Sequence, residues 1–221
     1  MSPRMMFEQE LVQLKDKVAE MGSYAQVGYD RLMVAMLGND YGTINELQEN
    51  DGKIVDMQRS IEADCLRLMT KQQPVARDLR LVSAALKVVS DMERIGDHVI
   101  DIAELLMRRY KEDMQPSLGA TLVSMFHEAA KMLSESVDAF LDGDVELANA
   151  VIEMDDIVDD HFNRVKEEMM EAIRNQALDA DRVVDNLMVA KYLEKMGDHA
   201  VNIAKWSVFR MTGDMEGNTL Y

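Results

Sequence analysis

The sequence predicts an all-α protein built as two tandem three-helix bundles, six long antiparallel helices related by a pseudo-two-fold. Three observations predict it. Turn formers and aromatics are scarce: 221 residues hold 3 prolines, 11 glycines and 5% aromatics, a composition suited to long helices rather than a turn-rich β-sandwich. Apolar residues recur at heptad spacing. The second half of the chain repeats the first, loop positions included.

The first helix shows its period openly. Phe7, Leu11, Leu14, Val18, Met21, Ala25, Gly28, Leu32 and Ala35 are spaced alternately four and three apart, one apolar seam. Small residues at Ala25, Gly28 and Ala35 predict close approach of a neighbouring helix there. The pattern stops at the turn-forming cluster Gly38-Asn39-Asp40-Tyr41-Gly42. A second helix is predicted from Thr43 to Gln72, with Leu47, Ile54, Met57, Ile61, Leu68 and Met69 as its apolar members. It ends before Pro74, because the residue preceding a proline avoids the α region. A third runs from Val75 to Glu112.

The pattern then begins again. Val34–Asp40 matches Asp138–Asp144 at an offset of 104, which also carries Leu14, Val18 and Met21 onto Leu118, Leu122 and Met125. After the second helix the offset falls to 101, and Glu93-Arg94-Ile95-Gly96-Asp97-His98 lies on Glu194-Lys195-Met196-Gly197-Asp198-His199. The expected units are residues 1–112 and 113–221. Helices of about 28 to 38 residues span roughly 40 to 55 Å and are stable in water only by burying their apolar stripes.

With 41 acidic and 24 basic residues the formal net charge is −17. Such a chain is repelled by nucleic-acid phosphates and anionic lipid, so neither is an expected partner. Single Cys65 can form no internal disulfide. The amino terminus lacks the apolar core of a secretion signal, and no integral membrane segment is evident. These features predict a cytoplasmic location.

Chemistry concentrates in acidic ladders. The third and sixth helices carry Glu93, Asp97 and Asp101, and Glu194, Asp198 and Asn202, at four-residue spacing on one face. Like charges so placed disfavour a helix by roughly 0.2–0.5 kcal/mol per pair. The second and fifth helices supply Asp51, Asp155 and Asp159 at matching places. Facing ladders make a site for oxygen-seeking cations such as Mg²⁺, Ca²⁺, Mn²⁺ or iron; spacing alone favours a solvated acidic face, and recurrence of the motif in both copies shifts the reading toward a site. The copies differ, since Asp101 becomes Asn202 and Val55 stands where Asp159 has its counterpart. Gly96 and Gly197, inside helices where glycine costs roughly 0.5–1 kcal/mol, predict close packing beside the acids. His98 and His199 lie about 140° around the helix from Glu93 and Glu194, off the carboxylate face, and are read as packing or hydrogen-bonding residues.

Other signals are thin. A ferritin-like di-iron site needs Glu-x-x-His on two helices, and no glutamate lies three residues before any histidine. Neither a G-x-x-x-x-G-K nor a G-x-S-x-G motif occurs. Cys65, beside Asp64, reads as a buried structural thiol, and the 20 methionines as core filler. Arg77, Arg80, Arg108 and Arg109 are basic points in an acidic chain, most of them expected to be paired.

The stretch Gln73-Pro74-Val75-Ala76-Arg77-Asp78-Leu79-Arg80, followed by Asp91-Met92-Glu93-Arg94-Ile95-Gly96-Asp97-His98 and its echo Glu194–Ala204, resembles the PhoU family. The resemblance spans the whole chain. It implies a negative regulator and accessory protein of phosphate uptake and phosphate-starvation signalling, not an enzyme. The implied partners are the ATP-binding subunit of the phosphate ABC transporter and the phosphate-sensing histidine kinase, with homodimerisation. It also implies metal clusters (iron, zinc, manganese, magnesium or calcium) at Glu93 and Asp97 and at Glu194 and Asp198, with Asp51, Asp155 and Asp159 as second-helix ligands. Val55 and Leu178-Asp179-Ala180-Asp181 depart from that pattern. Two rival readings are a metal-dependent phosphoester hydrolase, disfavoured by missing nucleophiles, and a metal-free helical scaffold.

Overall fold

The apolar seams close on one another as seven helices and a terminal hairpin in the computed structural model, which describes residues 3–38, 40–49, 52–111, 119–215 and 218–219. α1 (Pro3–Gly38), α2 (Tyr41–Glu49), α3 (Gly52–Gln72) and α4 (Ala76–Lys111) form the first unit. α5 (Ala120–Asp142), α6 (Val145–Arg174) and α7 (Ala180–Thr212) form the second. The predicted second helix corresponds to α2 and α3 together, with residues 50 and 51 outside the described set, as is the expected boundary at 112/113. Beyond expectation, β1 (Asp214–Met215) pairs antiparallel with β2 (Asn218–Thr219), after Gly213 turns the chain at φ 79°.

The helix-opening turns repeat with the rest. Asp144 caps α6 by accepting from the Leu147 amide at 3.0 Å, and Asp40 accepts from the Thr43 amide at 3.3 Å and from the Thr43 hydroxyl at 2.8 Å. Those bonds, the hydroxyl's foremost, hold the Asp40 carboxyl below its ordinary range.

α1, α3 and α4 pack together with α2 against α1 and α4, while α5, α6 and α7 pack mutually. The units join through α4 on α7 and α1 on α5, so equivalent helices face each other as across a two-fold interface. At the α1–α5 crossing a Cβ on Gly22 would lie 2.6 Å from Val137 Cγ1. Nearby, the Tyr29 hydroxyl, fully buried, donates to the Phe126 carbonyl at 2.6 Å. Gly22 is therefore the close-contact residue. Gly28, predicted for that role, has nothing within 4 Å of where a Cβ would sit. It borders a cavity of 260 Å³ lined in part by Tyr24, Ile54 and Gly96. Its counterpart in the second unit is Met132, whose Cε lies 3.7 Å from where a Cβ on Gly197 would sit.

The α4–α7 seam is more polar. Arg108 ion-pairs with Asp185, whose side chain is 3% exposed, and the His98 and His199 rings stand 5.8 Å apart across it.

Candidate functional site: the carboxylate ladders

In the second unit the ladder is two-sided. Glu194 and Asp198 of α7 face Asp155 and Asp159 of α6, and Gly197 leaves the backbone bare between them. A Cβ there would meet Asp155 Oδ1 at 3.6 Å and Val158 Cγ1 at 3.5 Å. Burial first, then the charges of Asp198, Asp159, Asp156 and Glu194, push the Asp155 carboxyl up to about 6. Asp159 is raised as well, by burial and then by Glu194 and Asp198. Carboxylates from two helices thus repel one another at this point.

Lysines offset part of that repulsion. Lys195 Nζ lies 2.6 Å from Asp198 Oδ2 and 3.5 Å from Glu194 Oε2, and the pairing holds its ammonium above its ordinary range. Lys191 Nζ comes within 2.6 Å of Glu194 Oε2. That oxygen is nonetheless buried without an aligned hydrogen bond, an acceptor with capacity to spare.

The first unit differs. Arg94 Nη1 reaches Asp97 Oδ2 at 3.1 Å, and Arg94 Nε stands 3.7 Å from Glu93 Oε2. Val55 is half-buried against the core, and Asp51 lies outside the described residues. Asp101 turns from the ladder toward the inter-unit seam: its Oδ2 is 3.1 Å from His98 Nδ1, and its charge helps raise the Tyr192 phenol, after burial.

Both histidines pack and hydrogen-bond along that seam. His199 Nδ1 is 2.8 Å from Asp91 Oδ1, which also accepts from Asn202 Nδ2 at 3.2 Å, while the His98 ring lies 5.4 Å from that of Tyr192. Asp91 was absent from the sequence-derived set. The available signal was that the 101-residue offset sets Asp91 on Tyr192, one heptad before each histidine. Cys65 is fully buried, and burial, then Asp64 and Glu62, push its thiol up to about 12, an inert structural cysteine.

Hard oxygen donors on facing helices and the spare acceptor at Glu194 suit a cation of the Mg²⁺, Ca²⁺, Mn²⁺ or iron type. In the arrangement shown, the carboxylates turn toward lysine and arginine instead. Among the described residues no three His, Cys, Asp or Glu side chains converge to hold an ion. The second unit fits a cation by its donor set, with side-chain rotation required to close around it.

A doubled three-helix unit with an acidic ladder on each closing helix defines the class: a tandem-repeat helical-bundle protein. The chain belongs to the PhoU family, for the PhoU domain model matches it twice, over residues 18–106 and 122–207. It is 31% identical over 211 residues to the phosphate-specific transport system accessory protein PhoU homolog of Clostridium acetobutylicum, covering 95% of this chain and 96% of that one. It is 32% identical over 217 residues to the homolog of the same description from Synechocystis, covering 96% and 94%. The crystal structure of PhoU from Pseudomonas aeruginosa superposes with a TM-score of 0.88 at 30% identity, over 94% of this chain and 100% of that one. A second, the phosphate transport system regulatory protein PhoU from Streptococcus pneumoniae, shares the fold with a TM-score of 0.87 at 23% identity, over 95% and 98%. The curated relatives are named as accessory proteins of phosphate-specific transport, and the family is one of accessory proteins, not of enzymes. No helix among the described residues is long and apolar enough to cross a membrane.

Proposed function

We propose that this chain is a cytoplasmic accessory protein of phosphate-specific transport that restrains phosphate uptake and the starvation response. The observation that carries the reading is likeness over nearly the whole chain to accessory proteins of that system, in both units. In this reading the helical body docks on the transporter's ATP-binding subunit and on the phosphate-sensing kinase, and works as a homodimer. Control through docking requires two states with different partner contacts. Deleting the gene in its host should switch on phosphate-starvation genes in phosphate-rich medium, and this chain should restore repression. Constitutive repression in the deletion strain would overturn the reading.

The ladders are the proposed metal sites, with Glu194, Asp198, Asp155 and Asp159 in the second unit and Glu93, Asp97, Asp101 and Asp51 in the first. A bound cation would neutralise carboxylates that now repel one another. Lys191 and Lys195 offset part of that repulsion. Elemental analysis of untagged protein should find metal that is lost in the Asp97→Ala, Asp198→Ala double variant. Unchanged metal content in that variant would remove the ligand assignment. Absence of metal after incubation with Mn²⁺, Fe²⁺, Zn²⁺ and Mg²⁺ would make the ladders solvated acidic faces and leave the regulatory reading to partner docking alone.

A further inference from the structure

A second charged feature lies away from the ladders and has the opposite sign. Where α1, the start of α4 and the end of α7 meet, a cavity of 230 Å³ is lined by Lys15, Arg77, Asp78 and Arg210 over Leu11 and Leu81. In a chain of net charge −17, gathering three cations at one opening runs against the overall field. The cations do repel one another. Burial, then Arg210 and Arg77, lower the Lys15 ammonium below its ordinary range, and burial, then Arg77, lower the Arg210 guanidinium. Asp142 offsets both in part. Among the described residues none of the three forms a salt bridge with a carboxylate.

The arrangement is held in place by the fold. Arg210 is only 3% exposed and donates to the carbonyls of Phe140 and Leu141 at the end of α5. Arg80 donates through Nε to the Arg210 carbonyl at 3.2 Å, tying the start of α4 to the end of α7. The turn that delivers Arg77 has positive φ at Gln73 and Ala76, 45° each. The cavity lies where the units meet: Lys15 and Arg77 come from the first unit and Arg210 from the second, and the counterparts of Lys15 and Arg77 are Gly119 and Leu178, while that of Arg210 is Arg109. Core packing common to both units therefore does not account for Lys15 and Arg77.

We propose that this cavity is a binding site for hydrogen phosphate, a small oxyanion that carries its own proton. Lys15 and Arg77 meet the charged oxygens with N–H donors, Arg77 offering a planar pair, and buried Arg210 adds fixed positive charge behind them. Asp78, lining the same cavity, accepts a hydrogen bond from the P–OH group. Sulfate has two negative charges and no proton, so its oxygens would meet the Asp78 carboxylate without a hydrogen bond, an uncompensated repulsion. The site rests on its own geometry and stands independently of the metal and partner readings above.

Calorimetric titration of the full chain at fixed ionic strength and neutral pH tests it, with inorganic phosphate as probe and sulfate and chloride as comparators. Saturable phosphate heat is expected, with sulfate bound at least about tenfold more weakly. Lys15→Gln with Arg77→Gln should weaken phosphate by about tenfold or more, as loss of charge-assisted bonds does, whereas Lys131→Gln, remote on α5, should not. Should the double variant unfold, Arg77→Gln alone carries the test, since Arg77 is exposed. Asp78→Asn should narrow the preference for phosphate over sulfate. No phosphate heat in the wild type, equal affinity for sulfate, or undiminished binding in the Arg77 variant would each overturn the assignment.

Discussion

In the second unit α6 sets Asp155 and Asp159 against Glu194 and Asp198, whereas in the first Val55 occupies the place corresponding to Asp159 and packs against the core. Conversely, Lys15 and Arg77 of the first unit gather beside Arg210 of α7, and the second unit has Gly119 and Leu178 in place of the first two. One duplicated scaffold thus carries unlike charges in its halves. The apolar seams that build the helices recur almost position by position, while the electrostatics diverge. A helix needs only its buried stripe to fold, so residues beside the stripe are free to specialise.

The largest effect that would break the pseudo-symmetry lies at the α4–α7 seam. Arg108 and Asp185 pair there, while their counterparts are Phe209 and Ala84. Arg108→Ala should cost about 2–4 kcal/mol, seen in urea unfolding, because it removes the guanidinium from a buried carboxylate. Arg77→Ala, on an exposed cation, should change stability by less than about 0.5 kcal/mol.

Next comes the pH response of the two-sided ladder. Asp155 titrates near 6 in the fold against an ordinary 3.8, so between those values the folded state binds more protons than the unfolded one. Its contribution to stability therefore falls as pH rises through that window and stays unfavourable above it. Asp155→Asn should accordingly stabilise the chain by about 1 kcal/mol near pH 8, the figure discounted for solvent screening. The gain should vanish near pH 4. Melting temperatures across that range check it, and a variant gain that is independent of pH would contradict the crowding of carboxylates.

The paired glycines sharpen the comparison further. A Cβ on Gly96 would lie 2.7 Å from Ile54 Cδ1, whereas one on Gly197 would lie 3.5 Å from its nearest neighbour. Gly197→Ala should gain up to about 1 kcal/mol from helix propensity. Gly96→Ala should lose that gain and about 1 kcal/mol more to overpacking, unless Ile54 shifts. Denaturation of the two variants side by side separates the cases. At Gly28, open space lets alanine add about 0.5–1 kcal/mol. Gly28→Met, importing the second unit's filler at Met132, tests whether the cavity is the volume of that missing side chain.

Much of this was legible beforehand because it is periodic. The seam from Phe7 to Ala35 foretold α1, the break at Gly38–Gly42 foretold its end, and Pro74 foretold the stop of α3 near Gln72. Even the caps at Asp40 and Asp144 belong to the repeated stretch. The role of Gly28 was misread because spacing places a residue on a face without saying what stands opposite. Gly22 meets Val137 of α5, 115 residues away in the chain, and that partnership has no local signature. For the ladder, spacing put Glu194 and Asp198 on one face, but only packing against α6 raises the Asp155 carboxyl and sets its oxygen beside Gly197.

By itself the sequence determined the helices, their duplication, the inert placement of Cys65 and the acidic stripes, since each follows from period and composition along a single chain segment. Only the tertiary structure decided that Asp91 meets His199 across the units, and that Lys15, Arg77 and Arg210 open onto one cavity. These are meetings of side chains on different helices. They depend on the angle and register at which α1, α4 and α7 pack, which many distributed contacts fix together and no short stretch of sequence encodes.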